Sequence, residues 1–206
     1  MPLQVTRAGL RLPDPEELRG LHDAFARHHC VLLPAFFEPY LVRWLLRRAV
    51  EGRWETIVHD DLDPPAVDLL LRDDVAWGTM ATLLNDPALF AVVRRITGCE
   101  PMVSNSSRIY RMDPDAGHSD TWHGDNDGRR LLALSVNLGS APFDGGELEI
   151  RDKHTEGVVH RVANTGEGDA ILFRIAPELQ HRVREVTGNV SKFAIAGWFE
   201  RGLARS

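Results

Sequence analysis

The chain predicts an α+β protein whose core is all-β, of the sandwich or jelly-roll kind, backed by N-terminal α-helices. Three observations carry this reading. Helix-start signals and apolar spacing near 3.6 dominate residues 1–100. Short alternating segments separated by turns dominate residues 101–200. The pattern changes once, near Gly98, with no repeat, low-complexity tract or long linker, so one domain is expected over residues 1–206.

The helices come first. Asp14-Pro15-Glu16-Glu17 offers a capping carboxylate, a proline suited to the first helical position and acids at the positive end of the dipole. Leu18, Leu21 and Phe25 follow at helical spacing. Val31-Leu32-Leu33 before Pro34 reads as a short strand. A second helix follows Pro39, with Leu41, Val42, Leu45, Leu46 and Ala49 on one side and Arg43, Arg47 and Arg48 on the other. Residues 58–68, rich in Asp and Pro, read as a loop. Asp86-Pro87 opens another helix, which Gly98 ends.

The strands follow. Candidates are Arg108 to Arg111, Arg130 to Leu138, Glu147 to Ile150, Val158 to Val162, Asp169 to Arg174, His181 to Val186 and Lys192 to Phe199. Turns at Gly139, Phe143-Asp-Gly-Gly146 and Gly166-Glu-Gly168 separate them. Seven short strands at this spacing suit a sandwich or jelly roll better than alternating β-α units.

Strand parity predicts a cavity. Leu132, Leu134, Val136 and Leu138 share one face, and Ala133, Ser135 and Asn137 share the other. In the last strand Phe193, Ile195 and Phe199 oppose Lys192, Ala194, Ala196 and Trp198. The large faces suit packing on the helices, and the small faces leave room between sheets.

Bulk properties narrow the function. With 206 residues, 43% hydrophobic and 26% charged, the chain reads as an ordinary soluble globular protein with a sizeable core. A net charge of −6 with scattered basic residues argues against nucleic acid. Cys30 and Cys99, without Cys-x-x-Cys spacing, argue against a disulfide framework or thiolate zinc site and fit a reducing cytoplasm. No signal-peptide run is seen at the N-terminus, and no apolar stretch approaches the roughly 20 residues of a membrane span.

The chemistry lies in the histidines. Two imidazoles and one carboxylate can fill one face of an octahedral iron(II) ion and leave three positions for cosubstrate and dioxygen. The chain has three His-x-Asp triplets, beginning at His59, His118 and His123. His59 falls in the helical half, in an acidic loop with no following strand expected. His123 and Asp125 stand nearest the start of the strand that ends at Asn137, where a ligand is held firmly. They are favoured, with His118 and Asp120 as second choice. His181 opens an apolar strand, and eleven residues on stands Lys192, a cation able to hold the far carboxylate of 2-oxoglutarate. Helical His-Glu-x-x-His, a Gly-x-Ser-x-Gly elbow and a Gly-x-x-x-x-Gly-Lys loop are all absent from the sequence.

Tyr110, Trp122-His-Gly-Asp125, Asn137-Leu-Gly139, Phe143-Asp-Gly-Gly-Glu-Leu148, Gly168-Asp-Ala-Ile-Leu-Phe173, His181-Arg-Val183 and Lys192 to Phe199 together resemble the Fe(II)- and 2-oxoglutarate-dependent dioxygenases, in the style of the prolyl-hydroxylase-like branch. The resemblance runs from about Arg108 to Phe199. It implies a double-stranded β-helix over residues 101–200, with residues 1–100 as mainly helical support. It implies His123, Asp125 and His181 as iron ligands. Lys192 would pair with 2-oxoglutarate where many relatives use arginine, with Tyr110 and Asn137 beside it. Ascorbate would be supportive. Retention of Asp125 points to hydroxylation or desaturation, because halogenating relatives replace that carboxylate. Substrate contact is expected from Trp122, His118 and Arg174, the last either binding a carboxylate or capping the sheet edge, and from loops 113–120 and 59–74. Three functions stand: a small-molecule hydroxylase, a peptide hydroxylase of the prolyl type, and a cupin-like metal or sugar binder without redox turnover.

Overall fold

The structure is a computed structural model and describes residues 2–59, 66–114, 116, 121–163 and 165–202. In chain order the elements are β1 (Gln4–Thr6), β2 (Gly9–Arg11), α1 (Pro15–His28), β3 (Cys30–Leu33), α2 (Pro39–Glu51), β4 (Arg53–His59), β5 (Ala66–Arg72), α3 (Asp74–Leu84), α4 (Pro87–Thr97), β6 (Met102–Met112), β7 (Arg130–Asn137), β8 (Asp144–Gly145), β9 (Leu148–Asp152), β10 (Val158–Val162), β11 (Ala170–Arg174), β12 (Leu179–Val183), β13 (Val186–Thr187) and β14 (Lys192–Arg201).

Helix ends follow from their caps. Asp14 accepts from the amides of Glu16 and Glu17 at 3.1 and 2.9 Å, and His29 turns left-handed to close α1. Asp86 accepts from Ala88 N at 2.8 Å and Gly98 closes α4 at φ 66°. Helix α3 is absent from the sequence reading. Asp73 caps it through Ala76 N while pairing with Arg48 of α2 at 2.7 Å, a contact that lies 25 residues away in the chain.

A seven-stranded antiparallel sheet runs β3-β11-β7-β14-β6-β5-β4. A three-stranded sheet, β10-β9-β12, faces it, and β13 pairs with β8 at one end. This is the double-stranded β-helix, backed by helices on the outer side of the large sheet. The parity reading holds. Leu132, Leu134, Val136, Leu138, Ile195 and Phe199 pack with Phe25, Leu45, Leu89 and Ile96 of the helices in one buried cluster. Cys30, Ala133, Leu148, Ile150, Ile171 and Phe173 form a second cluster between the sheets.

Among the described residues the N-terminal half carries four helices, and strands the sequence reading left out stand beside them. Among these residues it contributes five strands, and three of them extend the large sheet at both edges. The expected loop at 58–68 is bounded by the hairpin strands β4 and β5, paired from Arg53↔Arg72 to His59↔Ala66. His59 therefore ends one strand and another strand follows. Residues 60–65, with Asp61, lie outside the described residues. The Asp/Pro composition of the connection hid the alternation of Trp54, Thr56 and Val58 on its first arm.

Candidate metal centre and cavity

A cavity of about 360 Å³ opens between the two sheets. The large sheet contributes Ala133, Ser135 and Asn137 of β7, Ala194, Ala196 and Trp198 of β14, and Tyr110 of β6. The small sheet contributes Leu148, Val162, His181 and Val183. Small side chains on the inner faces of β7 and β14 leave the space. Gly197 permits the closest approach there, since a Cβ would lie 2.3 Å from Ser106 O on the paired strand β6.

At one side of this cavity His123, Asp125 and His181 bring their donor atoms within 4.8 Å of one another. His181 is fixed by β12. His123 lies just outside the sheet but bridges to it: His123 N donates to His181 O at 3.0 Å and His181 N to His123 O at 2.9 Å. His123 Nε2 stands 3.7 Å from Asp125 Oδ1, and His181 Nε2 3.5 Å from Asp125 Oδ2.

The donor set suits a divalent ion. His123 Nδ1 lies 2.8 Å from Thr121 O. A carbonyl can only accept, so Nδ1 carries the proton and Nε2 presents its lone pair inward, the usual arrangement for a metal-binding imidazole. Burial, then His123, pushes the His181 imidazole down to about 4, so it is neutral and able to ligate at neutral pH. Both oxygens of Asp125 are oriented from outside. Trp198 Nε1 donates to Oδ2 at 2.5 Å, and Arg130 Nη1 to Oδ1 at 3.3 Å. Arg130 lies flat over the Trp198 ring at 3.7 Å, so each holds the other in place.

Lys192 opens β14 and lines the cavity, its Nζ donating to Gly146 O at 2.9 Å and lying 5.5 Å from the Phe143 ring centre. The glycine matters here. Gly146 sits at φ 67°, and a Cβ on it would come within 2.9 Å of Phe143 Cε2 and 3.4 Å of Lys192 Cδ. Tyr110 also lines the cavity. Burial, then the charge of Asp68, raises its phenol, so it stays a neutral donor.

Asn137 lines the cavity too, but its amide is engaged by the chain. Nδ2 donates to Thr165 O at 2.8 Å and Gly166 O at 3.2 Å, and Oδ1 accepts from Gly139 N at 3.0 Å. It braces the turn beside the cavity, with little donor capacity left for a ligand. Two expected substrate contacts point elsewhere. Arg174 alternates with inward-facing Phe173, so its guanidinium lies over Phe25 of α1 and reaches Thr97 O at 3.4 Å on the helical side. Trp122 lies outside the cavity, between Arg151 and Arg182 at 4.5 Å each. His118 and Asp120 lie outside the described residues. Trp198, Arg130 and Asp68 were not assigned from sequence. Parity placed Trp198 on the correct face, but its bond to Asp125 spans 73 residues.

The two facing antiparallel sheets, with two imidazoles and a carboxylate between them, define a metal-binding double-stranded β-helix. The model of the 2OG-Fe(II) oxygenase superfamily matches residues 107–200, so this stretch carries the oxygenase domain of that superfamily. The protein is a 2-oxoglutarate-dependent oxygenase using Fe(II), 2-oxoglutarate and O2 on a small-molecule or peptide substrate. No curated protein matches the chain. Among solved structures it is similar to an oxidoreductase of the 2OG-Fe(II) oxygenase family from Burkholderia pseudomallei (TM-score 0.68, 19% identity, covering 97% of this chain and 96% of that one). It is similar to a Pseudomonas putida prolyl-4-hydroxylase (0.65, 20%, 89% and 99%). The third is the epimerase SnoN in complex with Fe3+, alpha ketoglutarate and nogalamycin RO (0.64, 14%, 91% and 85%). These three likenesses carry the fold.

Proposed function

We propose that this oxygenase hydroxylates an unactivated C–H bond of a small molecule, with His123, Asp125 and His181 holding the iron and Lys192 pairing with the far carboxylate of 2-oxoglutarate. The carrying observation is the gathering of those three donor groups beside a cavity of about 360 Å³ that also contains Lys192. That volume sits at the lower end of small-molecule sites, roughly 300–1,000 Å³, and favours a compact substrate over an extended chain.

When bound, iron and 2-oxoglutarate would supply oxidation of the C–H bond to C–OH, coupled to release of succinate and CO2 from the oxo acid and O2. The protein's own groups do the positioning. The backbone bridge between His123 and His181 sets the spacing of the two imidazoles. Trp198 and Arg130 orient the Asp125 carboxylate. Tyr110 offers a neutral hydroxyl beside the cavity, and the apolar Ile171, Phe173 and Leu148 exclude water from its inner wall. Arg130 and Asp68 place one charge of each sign in the lining besides the triad and Lys192.

The N-terminal elements and the β-helix act as one oxygenase domain in this reading, because the helices complete the core behind β7 and β14. No helix among the described residues is long and apolar enough to cross a membrane. Two free cysteines support residence in the cytoplasm. A peptide hydroxylase is the second reading, favoured by the fold it shares with the Pseudomonas putida prolyl-4-hydroxylase.

The test is succinate formation by the purified protein with Fe(II), 2-oxoglutarate and ascorbate, screened against a fractionated cell extract. Stimulation by low-mass fractions is expected. Stimulation confined to peptide fractions would transfer the assignment to the second reading. Absence of 2-oxoglutarate turnover under every fraction would remove the hydroxylase assignment.

A further inference from the structure

Two of the three proposed ligands, His123 and Asp125, are not on a sheet. They ride on the segment from Thr121 to Arg129, which has no ladder: one β-bridge ties His123 to β12, and at the far end Arg201 N of β14 donates to Arg129 O at 2.9 Å. The residue beside that bridge, Trp122, is held in a way the reaction does not explain. Its ring lies between the guanidiniums of Arg151 on β9 and Arg182 on β12, each 4.5 Å from the ring centre. Both arginines are themselves fixed. Arg151 donates through Nε and Nη2 to Gln180 Oε1 at 3.0 and 2.7 Å. Arg182 donates through Nε to Glu149 Oε2 at 2.7 Å, and Glu149 is fully buried, with Arg161 Nη2 2.5 Å from its other oxygen.

The register explains the layout. Gln180, His181 and Arg182 pair with Arg151, Ile150 and Glu149 in order. His181 and Ile150 turn inward, so their neighbours turn outward. Trp122 thus covers the outer face of the same two strands whose inner face carries His181.

We propose that the Arg151–Trp122–Arg182 stack is a clamp that fixes the ligand-bearing segment on the small sheet, making these three positioning residues for the metal. This rests on the reading of His123 and Asp125 as ligands. A planar aromatic between two anchored cations resists sliding along the strands as well as lifting off them. Loss of the clamp leaves the spacing of His123 to His181 to two backbone hydrogen bonds. A ligand that must be ordered on binding costs affinity without any change in the ligand atoms.

The experiment titrates metal-free protein with Co(II) under argon, reading affinity and the visible absorption of the bound ion. Trp122→Leu should weaken Co(II) by roughly 10- to 100-fold and alter the band shape, while the metal-free protein melts within about 3 °C of the original. Trp122→Phe keeps an aromatic face and should restore affinity to within about threefold. Arg151→Met, which keeps the stem at a half-buried position, should weaken Co(II) by about fivefold or more and stands in if Trp122→Leu does not fold. Affinity within twofold for Trp122→Leu, or for Arg151→Met in its place, overturns the clamp, as does failure of Trp122→Phe to rescue. His181→Ala in the same titration separates the two levels. If it loses Co(II) while the clamp variants do not, the clamp alone falls. If it keeps Co(II), the metal site on which the clamp rests falls with it.

Discussion

Replacing Lys192 by methionine removes the cavity's ammonium and keeps its stem. The ammonium donates to Gly146 O at 2.9 Å, beside Phe143, in a half-buried position. A carboxylate paired there gains a charge-assisted hydrogen bond, worth about 1.5–3 kcal/mol. Truncating one member of a fully desolvated pair costs about 2–5 kcal/mol, and partial exposure selects the lower part of that range. About 2–3 kcal/mol therefore separates the variant from the original, roughly 30- to 150-fold in affinity for 2-oxoglutarate. The assay is the 2-oxoglutarate dependence of succinate release, with calorimetric titration of the metal-loaded protein as a check. Metal affinity should stay within about twofold, since no proposed ligand touches Lys192. A KM for 2-oxoglutarate unchanged in Lys192→Met would refute the reasoning and move the anchor to Arg130, the guanidinium in the cavity lining. Arg151, Arg174 and Arg182 cannot serve. Two are stacked on Trp122 and the third lies over Phe25 on the helical side.

Three further outcomes are expected. Asp125→Ala should abolish iron-dependent turnover, and full 2-oxoglutarate decarboxylation by that variant would remove Asp125 from the ligand set. Trp198→Phe keeps the ring beneath Arg130 but loses the donor to Asp125 Oδ2, so metal affinity should fall about tenfold; an unchanged titration would mean that the bond does not orient the carboxylate. Glu149→Gln should lower stability by about 2–4 kcal/mol at pH 7, because Arg161 and Arg182 lose their shared buried anion but can partly reach water. Burial pushes the Glu149 carboxyl up, but Arg182 and Arg161 outweigh it and hold the group below its ordinary value. A lowered folded value means the stabilisation is complete above about pH 4.3 and is lost as pH falls further. Urea midpoints of both proteins from pH 7 to 3 should therefore converge on the acid side, and a gap that widens with acid contradicts the assignment.

The alternation of β7 and β14 was legible because a strand's period is fixed at two and its two faces met different surroundings, helices on one side and a cavity on the other. The caps of α1 and α4 were legible for the same local reason: Asp14 and Asp86 bond two or three residues ahead. Helix α3 was not, because Asp73 shares its carboxylate with Arg48 and its helix is apolar without a clear polar face. The hairpin β4-β5 was masked by the composition of its connection. At the site, residue identity placed His123, Asp125, His181 and Lys192 near one another only through order and spacing. Arg174 shows the limit of that method. One step of parity past Phe173 sends it to the opposite side of the sheet. Asn137 shows another, since a polar side chain on the correct face can be engaged by neighbouring backbone. The partner Trp198, and its stacking with Arg130, depend on register between strands, which no local pattern encodes.

The three donor groups are not held with equal firmness, and that asymmetry follows from the fold. His181 sits inside β12, paired through β9, so its imidazole is set by a ladder. Asp125 and His123 precede β7 on a segment without a ladder, so the protein must orient them from several sides. It does so with groups near and far in the chain: Trp198 from β14 and Arg130 from β7 on the carboxylate, the backbone carbonyl of Thr121 on the imidazole, and the arginines of β9 and β12 on the neighbouring Trp122. Apart from Thr121 O, the contacts come from four strands, β14, β7, β9 and β12, and both sheets contribute. The geometry of the centre therefore depends on the correct facing of the two sheets. A fold with the same strands but a slipped register in β14 would move Trp198 to the helical face and leave Asp125 without its strongest donor.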